Sequence, residues 1–407
     1  MQKLSKLMLA AVAAIALATP AMAWDFSAAG SVSATFNMKS TKDSNSDDIT
    51  NSTSVFQGDS GGISLKSSHT DGDDTVAMTY SVDYDTDTDG DAGLGIETTL
   101  SLAGSTKVGN WTASGTATQS IQDGDDSAAS KGATDADTAA ITLTDGKMTH
   151  KLGKAAHLAS PSKATASGAV GGNQAAGANT GSFTGYSLGV ALSDTMSVTL
   201  AIDMDSGDDP ECLGGTDHHA ATLDADAILD GVDSTCFGVN LAGSADALAY
   251  SVSIGSGSSS DDNSSRGASG SSSVMGFAVS YALGSGTIAF DYATESVSGK
   301  IDSTVTNARK VEDVEMEISY VHNLGDDSVV FNYSTNSTGT TAEGTATADK
   351  PTIDTGLEIG YKTTVGAVTL EAGYGMNSAT DADDTSATST VSGESDSDIG
   401  VKLSYSF

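Results

Sequence analysis

The feature that most constrains this chain is a period-two alternation of apolar and polar side chains, repeated in segments of about ten residues. Val76, Met78, Tyr80, Val82 and Tyr84 form one apolar stripe, with Ala77, Thr79, Ser81 and Asp83 between them. The pattern recurs over 186–192, 196–202, 248–254, 275–281, 288–292, 314–320, 329–333 and 399–407. Successive side chains of a strand point to opposite faces, so each segment offers one apolar wall and one polar wall. Many such segments in series predict one large two-faced antiparallel sheet.

The spacing between segments orders them. Short connections fall at Asp145-Gly146, Ser193-Asp194, Gly284-Ser285, 324–326 and Val365-Gly366, most of them turn-forming residues. Long ones fall at 39–60, 121–138, 154–182, 205–234, 256–272, 295–311, 336–353 and 376–396. Strands are expected near 27–38, 61–68, 74–84, 93–104, 108–120, 139–144, 147–153, 183–193 and 195–204. Further strands are expected near 235–243, 247–255, 273–283, 286–294, 312–323, 327–335, 354–364, 366–375 and 397–407. This is an all-β chain, predicted as a transmembrane antiparallel β-barrel of eighteen strands, with sixteen as the alternative count. Short periplasmic turns and long acidic outer loops follow from the same pattern, and an even count places both termini in the periplasm. Two tyrosine rows fit two interfacial girdles: Tyr84, Tyr292, Tyr333 and Tyr374 outside, and Tyr281, Tyr320, Tyr361 and Tyr405 inside.

Charge and composition narrow the function classes. Asp and Glu total 54 against 18 Lys and Arg, a formal net charge of −36. No basic stripe is present to neutralise phosphates, so nucleic-acid binding is excluded as a reading. Lys3 and Lys6 precede an apolar run over 7–18, and Ala21-Met22-Ala23 supplies a small-x-small cleavage site. Residues 1–23 therefore read as a secretory signal peptide, leaving 24–407 as one barrel domain. Export into an oxidising compartment makes a disulfide between Cys212 and Cys236 the expected state of the two cysteines. The neighbouring His218 and His219 match no regular zinc spacing. None of the six histidines, His69, His150, His157, His218, His219 and His322, lies in a recognisable nucleophile motif, so the chain is read as a non-enzyme.

The last strand carries Ile399, Val401, Leu403, Tyr405 and Phe407 on one face, and Lys402 among small polar residues on the other. It resembles the terminal strand of Gram-negative outer-membrane barrels, which implies that Tyr405 and Phe407 act as the signal read by the barrel-assembly machinery. Two further segments resemble the Gram-negative porins. One is Gly61-Gly62-Ile63-Ser64-Leu65-Lys66-Ser67-Ser68 with 76–83; the other is 140–147 followed by Lys151-Leu152-Gly153-Lys154. The second resembles the hairpin before the pore-constricting loop, with Lys154 where an Arg is usual and Asp145-Gly146 where Phe-Gly is usual. The resemblance implies a homotrimer, for which 28–36 and 111–117 are candidate contact strands. It also implies that 154–182, with Lys154, His157 and Lys163, is the constriction loop. Unlike a general porin, this loop holds no Asp or Glu, and the chain has only Arg266 and Arg309 as arginines.

The alternation places Asp83, Glu97, Asp291, Glu315, Glu317, Glu358 and Glu371 on the inward face, against Lys66, Lys151, Lys362 and Lys402. A wall of one net sign concentrates counter-ions, so the expected function is passive diffusion of small hydrophilic solutes and ions with cation preference. The alternatives are a substrate-selective channel, or a structural or adhesive surface barrel whose acidic loops bind divalent cations beside lipopolysaccharide. No cofactor is expected beyond Ca²⁺ or Mg²⁺ at those loops. The best local motif is Asp85, Asp87 and Asp89 before Gly90, the first half of an EF-hand-like loop with its closing acid out of place.

Overall fold

The computed structural model describes residues 24–42, 49–86, 94–122, 138–156, 163–165, 182–203, 232–261, 269–300, 309–341, 352–380 and 393–407. Eighteen strands form one sheet. They are β1 (Asp25–Lys42), β2 (Ile49–Asp71), β3 (Asp74–Thr86), β4 (Leu94–Val108), β5 (Trp111–Gln122) and β6 (Thr138–Thr144). Next come β7 (Met148–Ala156), β8 (Ser182–Ser193), β9 (Met196–Asp203), β10 (Val232–Ala245), β11 (Leu248–Asp261) and β12 (Ser269–Leu283). The last six are β13 (Gly286–Lys300), β14 (Arg309–Leu324), β15 (Asp327–Thr341), β16 (Thr352–Val365), β17 (Val368–Thr380) and β18 (Gly393–Ser406). Each strand pairs antiparallel with its sequence neighbours, and β18 returns to β1, so the sheet has no free edge.

The closing seam explains two residues at once. Gly30 N–H donates to Phe407 O at 2.9 Å, and Phe407 N–H donates back to Gly30 O at 2.9 Å. The Phe407 ring lies over Gly30, where a Cβ would come within 2.3 Å of it. Tyr405 stacks on that ring with centroids 5.9 Å apart. The seam thus uses a glycine as the seat of the terminal aromatic.

The closed sheet has two unlike faces. Ile63, Leu65, Leu102, Ile141, Ile254, Ile359 and Leu403 are among many large apolar side chains left exposed on the outer face. The buried apolar residues described are mostly alanines, and Val274 and Ala293 form a small buried apolar cluster among them. A fold whose described large hydrophobes stand mostly on the outside fits a hydrocarbon solvent rather than water. Closure satisfies the backbone groups internally, as that solvent requires.

Three expectations need correction. Strands run several residues further at the long-connection end than the apolar alternation does: β1 reaches Lys42, β2 starts at Ile49, and β13 reaches Lys300. Beyond the lipid belt the ladder continues without needing apolar side chains, so pattern alone ends the strand early. The β4–β5 turn is at Gly109-Asn110, not 105–107, because Ser105, Thr106, Lys107 and Val108 stay paired with 111–114. The upper tyrosine row is also lower than expected. Tyr292 lies four residues along β13 from Ile288, the partner of both Tyr281 and Tyr320. That is ~13 Å of strand, well short of an apolar band of about 25 Å.

The short turns give tight reversals. Asp145 shows how: its Oδ1 accepts the Lys147 and Met148 N–H groups at 2.8 and 2.7 Å. Those two bonds, that from Met148 first, hold its carboxyl below the usual carboxylate range. Asp246 takes a φ of 50° where six other tight turns use glycine, a conformation Asp tolerates better than most residues.

Candidate functional site in the barrel interior

Register partners in an antiparallel ladder share a face, so walking the ladder sorts the charged residues. Asp291 pairs with Glu317, Glu317 with Ser334, Asn332 with Glu358, and Glu371 with both Lys362 and Lys402. Asp83 pairs with Gly62 and Glu97, Lys66 with Ser27 and Thr79, Lys151 with Thr142 and Ser187, and Glu315 with Ala293 and Asn336. Those of them whose side chains are described lie on the inner side of the sheet. Lys362 and Glu371 form an ion pair at 2.8 Å.

The structure also brings inward charged residues that pattern reading left out of the inward set, either in expected loops or at the ends of expected strands. Because the strands are longer, Glu295 pairs with Asp313, Asn336 with Asp354, and Asp398 with Gly375 and Lys39. Asp398 accepts from Asn37 Nδ2 at 3.0 Å, and Lys39 reaches Asp396 at 2.7 Å. These residues sit where the apolar stripe has ended, so only the ladder reveals their face.

Residues 163–165 cross to this wall. Asp291, 1% exposed, accepts the Lys163 N–H through both carboxylate oxygens at 2.8 Å and the Ala164 N–H through Oδ2 at 2.9 Å. Ser319 Oγ accepts the Thr165 N–H at 3.0 Å, and Asn332 Nδ2 donates to Thr165 O at 3.0 Å. Asn332 also donates to Glu317. The strands flanking this connection are β7 and β8, whereas the receiving residues stand on β13, β14 and β15. Residues 163–165 therefore lie away from their flanking strands, against the wall of β13–β15, and are latched there by main-chain groups, which explains how a segment without acids can be held. A carboxylate accepting backbone N–H groups gives strong, geometrically fixed bonds.

Ser319 and Asn332 are the residues that charge-based reading missed. Their inward period-two positions were visible, but neutral polar residues gave no reason to single them out. Lys154 belongs to β7, paired with Thr184. His157 lies outside the described residues, and Lys163 is exposed beside the latch. Cys236 is buried on β10, while Cys212 lies outside the described residues, as do Asp87 and Asp89. Asp85 is in the β3 ladder opposite Ser60 and Gly95. Among the described residues no three His, Cys, Asp or Glu side chains are grouped to hold a metal ion.

A closed eighteen-stranded antiparallel barrel with an apolar outer wall has the fold of the outer-membrane porins and channels. The chain is similar to OpdL of Pseudomonas aeruginosa, with a TM-score of 0.51 at 10% identity over 94% of this chain and 99% of that one. It is similar to the outer membrane channel DcaP of Acinetobacter baumannii, at 0.50 and 12% over 94% and 97%. An anion-selective porin from Comamonas acidovorans aligns at 0.49 and 13% over 95% and 100%. No protein-family model and no curated protein matches the sequence.

Proposed function

We propose that this chain is a passive channel for small hydrophilic solutes and ions across the outer membrane of a Gram-negative bacterium, with cation preference. The observation that carries the reading is the latched segment 163–165, set against an acidic inner wall. A connection anchored by its backbone to the far wall narrows a polar passage without filling it with an apolar core. Asp291, Glu295, Asp313, Glu315, Glu317, Asp354, Glu358, Glu371, Asp396 and Asp398 outweigh Lys362 and Lys402 on β13–β18. Fixed charge of one sign along a confined path enriches the opposite counter-ion.

The described histidines, His69, His150 and His322, pair in register with Val76, Leu143 and Val329 of the outer face. The channel reading carries with it a cleaved signal peptide over 1–23, short turns on the periplasmic side and assembly through Tyr405 and Phe407. It also carries a homotrimeric state, and lipopolysaccharide around outer loops that take Ca²⁺ or Mg²⁺. A Cys212–Cys236 disulfide belongs to the same reading, supported by Cys236 not being a free thiol.

Planar-bilayer recording in a salt gradient tests the function. The expected result is an ohmic conductance with a reversal potential on the cation-selective side. An anion-selective reversal would contradict the charge argument, and absence of conductance would end the channel reading.

A further inference from the structure

The ladder that divides the inner face by arc also divides it by height. Glu358 on β16 and Asp398 on β18 both pair with Gly375 of β17, which sets two carboxylates in one row. Four residues further along, Lys362 and Lys402 of the same two strands both pair with Glu371. The row between them is Gly360, Gly373 and Gly400, also register partners, so these three strands put no side chain into the passage there. The row continues through Val330 on β15 and Val321 on β14. On β14–β18 the described inward carboxylates other than Glu371 lie on its long-connection side, and the described inward lysines lie on its short-turn side. The acidic and lysine rows thus face the lumen about 13 Å apart along the strands.

The acidic row is short of donors. Asp398 is 7% exposed; its Oδ2 accepts from Asn37 Nδ2 at 3.0 Å, and its Oδ1 has no hydrogen-bond partner. Asn37 pairs with Gly400, so that contact draws the carboxylate toward the glycine row. Lys39, opposite Asp398 in register, is engaged by Asp396 at 2.7 Å. Across the glycine row, Lys362 is held by Glu371 at 2.8 Å, while Lys402 makes no ion pair with a described residue.

We propose that this stretch of β16–β18 is a station for dipolar solutes, with a cationic end at Asp398, an anionic end at Lys402 and an uncharged body over the glycine row. It deepens the channel reading and rests on it for the solute's route. A simple ion gains one of the two contacts, whereas a solute of matching length gains both for a single association. An extended peptide spans at most about 3.3–3.6 Å per residue, so three or four residues bridge the rows and a free amino acid does not. The amino terminus then faces the long connections and the carboxylate faces the short turns.

Titration calorimetry of the folded full chain in mild detergent at low salt tests it, with tetraglycine, acetyl-tetraglycine, tetraglycine amide and glycine as probes. Tetraglycine is expected to bind about tenfold more tightly than glycine or than either peptide blocked at one end. Asp398→Asn is expected to weaken tetraglycine about tenfold and to leave acetyl-tetraglycine, which has no ammonium, unchanged. Lys402→Gln is expected to weaken tetraglycine to a similar extent and to leave tetraglycine amide unchanged. Gly373→Leu puts a side chain into the bare row and is expected to abolish binding, whereas Thr199→Leu on β9 is not. Heat-modified gel mobility confirms that each variant folds. Equal binding of free and blocked peptides, no binding by the wild type, or tetraglycine binding that ignores both charge variants overturns the proposal. Bilayer recording in parallel keeps the two readings apart: conductance without tetraglycine binding ends the station alone. Binding without conductance ends the passage and supports the station.

Discussion

On β13–β18 the inner face carries a dense set of carboxylates, including Asp291, Glu317 and Glu358, each at most 4% exposed. On β5–β12 that face is mostly Ser, Thr, Gly, Ala and Asn, with Cys236 and Val274, and among the described side chains Lys151 is its single charge. The two arcs share their backbone ladder and their apolar outer wall. The difference lies in what each inner face must do. The acidic arc receives segment 163–165, so its carboxylates serve as acceptors for a foreign backbone as well as a field for ions. The neutral arc faces the lumen with small groups that leave space. Screening over about 8 Å at physiological salt keeps a charge on one wall from being felt in full across a wide lumen. On the proposed channel reading, an ion meets two different surfaces, and selectivity belongs to the acidic one.

Removing the latch should break this contrast most strongly. In Asp291→Ala two backbone N–H groups lose a charged acceptor, each bond worth about 1.5–3 kcal/mol. Single-channel recordings are expected to show larger and noisier conductance with weaker cation preference; an unchanged trace would mean that 163–165 does not limit the passage. Next in size is Glu315→Lys, which replaces an acid by a base on the acidic arc. Its reversal potential is expected to move toward the anion side by clearly more than that of Thr142→Lys on the neutral arc. Equal shifts would show that the lumen is electrostatically uniform.

The backbone offers a comparison of its own. Gly153→Ala forces a Cβ against the Ala139 carbonyl at a strained φ, a loss of about 1–3 kcal/mol. Gly30→Ala meets the exposed, movable Phe407 ring and, at 2.9 Å, the Gly62 carbonyl oxygen, at an ordinary φ, a loss of about 1 kcal/mol. Urea unfolding followed by gel mobility ranks the two, and the reverse order would place the strain at the seam. The smallest effect concerns pH. The Asp145 carboxyl is held below the usual carboxylate range by the Met148 and Lys147 N–H groups. A depressed carboxyl stabilises the turn above the ordinary aspartate range and loses that contribution as pH falls through its lowered value. Protection factors at Lys147 and Met148, with the intrinsic pH dependence of exchange divided out, are expected to fall at acid pH in the wild type and to be insensitive to pH in Asp145→Ala.

The barrel was legible because membrane strands must alternate: Val76 to Tyr84, or Ile399 to Phe407, leaves no other extended arrangement with one apolar face. The inward set followed from the same parity. Less legible were Glu295, Asp396 and Asp398, which sit above the lipid belt where nothing forces apolar side chains and the pattern stops. The latch was hidden for a different reason. Lys163, Ala164 and Thr165 bind through their backbones, which every sequence possesses, and Ser319 and Asn332 are common residues made important by a partner far away in sequence. The close approach of β7 to β6 goes with the positive φ of Gly153, which its identity permits but does not announce.

A passage narrowed by segment 163–165 requires that segment to lie against β13–β15 inside the barrel. The most direct test is oxidative cross-linking of Thr165→Cys with Ser319→Cys, in a background carrying Cys212→Ser and Cys236→Ser. Thr165 N and Ser319 Oγ are 3.0 Å apart, so the pair is expected to bond readily in native membranes, whereas Thr165→Cys with Thr199→Cys on β9 is not. Bonding to Thr199→Cys in preference to Ser319→Cys, or to neither, would contradict it.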